Sequence, residues 1–151
     1  MTATNGIISC EEPVNSNSLK TLLVPATLER DWDWVEPLLN EIDDICNPDW
    51  DAHQVRQEIE SGSSQFWTSW DGGFAVTQVK VEPFSAVSYF LIWICHVGDT
   101  PFTEDDFGLL RQYAKDCGCK WVELWSPRKG MQRHMEGHGF EVTNTVMRRD
   151  L

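Results

Sequence analysis

One stretch, Val87–His96, constrains the fold more than any other. Its alternating positions are apolar on both sides: Val87, Tyr89, Leu91, Trp93 and Cys95 on one, Phe90, Ile92 and Ile94 on the other. A strand with two apolar faces cannot border water on either, so it predicts a central strand covered above and below. Helices have to supply that cover. The 151 residues, 41% of them apolar, amount to one domain. A chain of that size buries roughly 70% of its unfolded surface, which is enough for a core without disulfide or metal staples. Eight tryptophans place much of that core in aromatic packing.

The rest of the pattern supplies the covering helices and neighbouring strands. Thr21-Leu22-Leu23-Val24, within Leu19–Pro25, reads as a short strand ended by Pro25. Glu29, Asp31 and Asp33 precede a helical pattern with Trp34, Leu38, Ile42 and Ile45 on one face, closed by Pro48. A shorter helix starts from Asp51 as N-cap, turns Val55 and Ile59 inward and stops at Gly62. The period then drops to two. Gln65–Trp70 and Phe74–Glu82 flank Asp71-Gly72-Gly73, a hairpin turn signal. After the loop Val97–Phe102, Thr103 is an N-cap, Asp106 completes a variant capping box, and Phe102 and Phe107 form a hydrophobic staple. That helix carries Phe107, Leu110, Ala114 and Cys117 inward and ends at Gly118. Cys119–Trp125 reads as a strand with Trp121, Glu123 and Trp125 on one face, Val122 and Leu124 on the other. A short helix over Lys129–Gly137 and a last strand over Phe140–Leu151, with Val142 and Val146 as its apolar points, close the order. The expectation is a mixed α/β (α+β) domain over residues 19–151, a mostly antiparallel twisted sheet with helices on both faces. Residues 1–18 are polar and read as a flexible arm.

Charge narrows the partners. Twelve Lys and Arg stand against 24 Asp and Glu, a formal net charge of −12. Nucleic acids and anionic membrane surfaces are both held by a surplus of cations, so neither is an expected partner. The imbalance is uneven: residues 1–75 carry 3 basic and 14 acidic side chains, residues 128–151 carry 5 and 3. An anion site therefore belongs near the C-terminal end. No apolar run approaches the ~18–20 residues of a membrane span, and the first residues lack the pattern of a secretory signal. Five cysteines, an odd number, read as free thiols in a reducing compartment.

The element order resembles that of the GNAT (Gcn5-related N-acetyltransferase) superfamily, and the second half is more particular. The stretch Leu110–Cys119, then Val122-Glu123-Leu124-Trp125, Arg128-Lys129-Gly130 and Gly139-Phe140, resembles GNAT-like proteins of tailed bacteriophages. Their run R-x-G-x-x-R-x-x-x-x-x-G-F is matched here by Arg128, Gly130, Arg133, Gly139 and Phe140. The resemblance implies acyl transfer from a coenzyme A thioester to an amine. It places the coenzyme's pyrophosphate on backbone N–H groups at the start of the helix after the central strand, in a loop that usually reads Q/R-x-x-G-x-G/A. It also implies a host cytoplasm or a virion as the location.

This chain departs from that pattern. The corresponding loop, His96 to Asp106, has one glycine, Gly98, and Pro101 offers no N–H. Glu104, Asp105 and Asp106 fill the first helical turn, where they suit the helix dipole but repel a phosphate. The tyrosine that many members place four residues before the Gly-Phe glycine, to reprotonate the leaving thiolate, is Met135 here, which cannot donate a proton. The expectation is a GNAT-fold protein with a degenerate acyl-CoA site, needing no cofactor. It would bind another protein, as an accessory or virion-associated module of a phage. The alternative is an active N-acyltransferase with an atypical loop and acetyl-CoA as donor. Gly98, Thr103, Arg128, Lys129 and Arg133 would then hold the coenzyme, and His96 with Glu123 on the adjacent strand would deprotonate the amine. Against that stands the plain alternative of a strand-end histidine and a partly exposed glutamate.

Three further features stay open. His134 and His138 have metal spacing at i, i+4, but the flanking Gly137 and Gly139 end the helix and no third ligand follows, so no metal is expected. Cys117 and Cys119 straddle a helix end and a strand start, so their thiols should diverge. Trp121 and Trp125 either pack under a helix or form an exposed patch for a partner.

Overall fold

The computed structural model describes residues 23–46, 48–125, 129–144 and 147–151, the Lys129 side chain excepted. In chain order the elements are β1 Val24–Pro25, α1 Leu28–Cys46, α2 Ala52–Glu60, β2 Gln65–Thr68, β3 Phe74–Val81, β4 Ser88–His96, α3 Glu104–Asp116, β5 Val122–Leu124 and α4 Lys129–Glu136. The strands form one sheet in the order β1-β2-β3-β4-β5. Neighbours are antiparallel except β4 and β5, which run parallel because α3 crosses between them. The mixed class and the helices on both faces stand as expected. One core lies under α1 and α2, built on Trp32, Val35, Leu39, Val55, Phe74 and Ile94. The other lies under α3 and α4, built on Trp67, Phe90, Ile92, Phe107, Leu110 and Met135.

The local signals for turns and caps are realised. Asp51 and Thr103 are N-caps with reciprocal capping boxes to Gln54 and Asp106. Phe102 meets Phe107 edge-on at 6.2 Å. Gly72 takes φ +96° in the β2–β3 turn, where a side chain would be strained.

Four expectations are corrected. α1 begins at Leu28, so Glu29, Asp31 and Asp33 lie inside it, and its buried stripe is Trp32, Val35 and Leu39. Trp34, Leu38 and Ile42 only flank that core, and Ile45 is exposed. The helix carries apolar residues on two adjoining lines, so spacing alone does not choose the buried one. On α3, Cys117 is exposed at the C-cap and half-buried Tyr113 packs in its place. β5 has three residues, shorter than Cys119–Trp125. The described residues from Phe140 onward form no strand; Val142 is exposed, and Val146 lies outside the described residues. That segment is mostly polar, so a ladder there would bury little. The arm over residues 1–18 also lies outside the described residues, as does the predicted strand up to Leu22.

Candidate functional site

A bulge in β4 shapes the site. Register passes from Val76↔Ile94 to Thr77↔Ile92, which leaves Trp93 as an extra residue in β4. An extra residue reverses the alternation. Phe90 and Ile92 face the α3/α4 core before it; beyond it Cys95 takes that side and Ile94 goes to the α1/α2 core, against the simple two-face pattern. β5 pairs with β4 from Phe90↔Val122 to Ile92↔Leu124, while β4 continues to His96. Where the strands part, a cleft of about 1490 Å³ opens, lined by Trp93, Cys95 and His96 on one side and Glu123, Leu124 and Trp125 on the other. Arg148 closes part of its rim by donating from both terminal nitrogens to Asp49, at 3.1 and 3.0 Å. That bond holds the Asp49 carboxyl below its ordinary value. Burial pushes the Cys95 thiol up to about 12, so the cleft offers no thiolate there at neutral pH.

The loop between β4 and α3 is bound to the β2–β3 turn. Asp99 donates its amide to the Asp71 carbonyl at 3.2 Å, and Thr100 donates both amide and hydroxyl to the Asp71 carboxylate at 3.1 and 2.7 Å. A Cβ on Gly98 would stand 2.4 Å from the Asp71 carbonyl oxygen and 2.6 Å from the Gly73 nitrogen. Gly98 is thus a close-packing glycine against the neighbouring turn. At the start of α3, the Thr103 amide donates to Asp106 Oδ2 and the Asp106 amide to Thr103 Oγ1. The amides of residues 99, 100, 103 and 106 are therefore all spent inside the protein, and Pro101 has none. A pyrophosphate needs amides turned outward, so these four are not available to one.

The three acids of α3 do not act alike. Asp106 is buried and turns inward, where it also accepts the Leu23 amide at 2.8 Å. Glu104 meets the His138 imidazole, which holds its carboxyl below the ordinary value, and Arg111 lies 3.9 Å away. This corrects the expectation of three carboxylates facing an incoming phosphate: one is a structural tether and one is engaged by His138, just past the end of α4. The sequence did not reveal Glu104 as a neighbour of His138. No spacing links positions 34 residues apart. His134 lies beside His138, ring centres 4.9 Å apart. No group of three metal-ligating side chains occurs among the described residues.

The remaining site residues scatter. His96 stacks on Phe74 with centroids 5.5 Å apart and borders the cleft. Glu123 lies opposite Leu91 in the ladder. His96 is five steps along β4 from Leu91, about 16 Å along a strand, so the two candidate bases are not brought together. Thr103 spends its side chain in the cap, Arg133 is exposed on α4, Arg128 lies outside the described residues, and only the backbone of Lys129 is described. Met135, in the tyrosine's place, is buried in the α3/α4 core. Trp121 and Trp125 are exposed, which corrects the core-packing alternative.

Asp71 gives a testable link between the two loops. Burial pushes its carboxyl up, but hydrogen bonds from the Ser69 hydroxyl and from Thr100 outweigh it and hold it below the usual 3.8. A depressed carboxyl stabilises the fold above its unfolded value, and that contribution is lost as pH falls through the folded one. Asp71→Ala is expected to cost about 1–2 kcal/mol at neutral pH. It should also flatten the loss of stability below about pH 4, read by urea unfolding across pH.

Strands and helices in this order, with a bulged β4 parting from a parallel β5, decide the architecture. The fold is that of the GNAT acetyltransferases. The chain is similar to an acetyltransferase of Trypanosoma brucei at 17% identity, with a TM-score of 0.63 over 85% of this chain and 98% of the other. It is similar to a ribosomal-protein-alanine N-acetyltransferase of Brucella melitensis biovar Abortus, with 16% identity, TM-score 0.61, and 84% and 97% covered. An aminoglycoside acetyltransferase from an uncultured soil metagenomic sample gives 10% identity, TM-score 0.60, and 88% and 99% covered. No family model matches the chain, and no curated protein is similar to it in sequence. Among the described residues, no helix of this GNAT-fold protein is long and apolar enough to cross a membrane.

Proposed function

We propose that the chain is a GNAT-fold binding module whose acyl-CoA site is degenerate, an accessory or virion-associated protein of a tailed phage that binds another protein. One observation supports the first part: in the loop that would cradle a pyrophosphate, the amides of Asp99, Thr100, Thr103 and Asp106 are spent on Asp71, Thr103 and Asp106 instead. Asp105, exposed on the same helix turn, opposes a phosphate as well. The phage assignment rests on the run Arg128 to Phe140, and the partner on the exposed indoles. Calorimetry with acetyl-CoA tests the reading. The expected result is no saturable heat at about 1 mM ligand, and a micromolar Kd overturns it.

A second reading, an active N-acyltransferase, draws on the cleft between β4 and β5 with His96 at its edge. It requires thiol release from acetyl-CoA with an amine panel, and loss of that release in Arg128→Ala/Arg133→Ala. No turnover across the panel excludes it.

A further inference from the structure

Two indole N–H groups share one carboxylate beside the cleft. Trp121 Nε1 donates to Glu123 Oε1 at 2.9 Å and Trp125 Nε1 to Glu123 Oε2 at 2.8 Å. Tyr89 stacks on Trp121, ring centres 5.3 Å apart and planes within 5°. β5 sends Val122 and Leu124 into the α3/α4 core, and its alternation sends Glu123 to the opposite face. Trp121 and Trp125 remain 40% and 57% exposed.

Among the described residues the Glu123 charge has no counter-ion: no Lys, Arg or His forms an ion pair with it within 4 Å. Lys80, across the ladder from Tyr89, and Lys120, next to Trp121, are near it in position and do not pair with it. Each carboxylate oxygen takes one indole N–H and retains a lone pair. The tyrosine hydroxyl registers the resulting field: after burial, the charges of Glu123 and Glu82 push Tyr89 up.

We propose that Tyr89, Trp121, Glu123 and Trp125 form a recognition site for an organic cation, an alkylammonium or guanidinium group. Ring faces attract a cation through their quadrupole, and a carboxylate fixed by two donors supplies the counter-charge already in position. The net charge of −12 favours the approach of a basic partner. A lysine or arginine side chain of a partner protein and a free amine present the same group. The inference deepens the binding-module reading by naming what the partner presents, and its test does not pass through the coenzyme.

Choline cannot be acylated, and 3,3-dimethylbutan-1-ol is its neutral isostere. Both are titrated into ¹⁵N-labelled protein, with the two indole N–H signals assigned from Trp121→Phe and Trp125→Phe. Choline is expected to move both signals with a millimolar Kd, and the isostere to bind at least about tenfold more weakly. Glu123→Gln should weaken choline about tenfold, as should Trp125→Leu at a largely exposed side chain. An equal response to both ligands, no response to about 50 mM, or unchanged affinity in Glu123→Gln overturns the proposal. Acetyl-Gly-Gly-Lys-Gly-Gly-amide binding more tightly than n-butylammonium assigns the cation to a protein side chain; equal affinity assigns it to a free amine. Binding of acetyl-CoA in the calorimeter ends the degenerate-site reading without touching this result, so the two fail separately.

Discussion

Asp106→Ala is expected to lower unfolding stability by about 3–5 kcal/mol. The side chain is buried and accepts two backbone amides that are far apart in sequence, Leu23 at 2.8 Å and Thr103 at 2.9 Å. Alanine leaves both donors unpaired, at about 1–3 kcal/mol each, and removes the N3 half of a capping box. The same change should lower the thermal midpoint by about 10 °C. Burial pushes the Asp106 carboxyl up against the hydrogen bonds that lower it, so its charge is carried at a cost. Asp106→Asn, which keeps an acceptor for Leu23, should therefore lose less than half as much. Urea midpoints decide between them, and a loss below about 1 kcal/mol in Asp106→Ala would mean that water satisfies the two amides.

Gly98→Ala is expected to cost about 2–3 kcal/mol. The new methyl would lie 2.4 Å from the Asp71 oxygen, 2.6 Å from the Gly73 nitrogen and 2.8 Å from the Asp71 carbonyl carbon, all backbone atoms with no side-chain freedom to yield. The loop must back away from the turn, loosening the Asp99 and Thr100 bonds to Asp71. Hydrogen exchange at those two amides should speed up with the drop in stability. A glycine kept for phosphate approach would behave otherwise: the variant would keep its stability and lose only ligand affinity.

The fold was legible wherever the deciding interactions are local. Hydrophobic period located β2 to β4 and α3, and short-range chemistry located the caps at Asp51 and Thr103 and the Gly72 turn. The α1 face was misread because Trp32, Trp34, Val35, Leu38 and Leu39 offer two competing stripes, and the choice falls to the sheet beneath. Asp31 can lie in the buried one because Trp34, Arg30 and the Thr27 amide donate to it. The site was less legible. That Gly98 packs against a turn, and that Asp71 holds Thr100, depend on contacts between segments more than 20 residues apart. The same is true of His138 and Glu104. A lone glycine in a loop looks the same in sequence whether it admits a ligand or a neighbouring backbone.

Among the described residues, both margins of the sheet are brief. β1 contributes two residues, one of them Pro25 with no N–H, and β5 contributes three. Along the described β1 and β5 a stranger strand would find little ladder to extend, which discourages fibre growth there. The protein can therefore display Phe84 and Trp125 to solvent, rings that on a long bare margin would invite cross-β stacking.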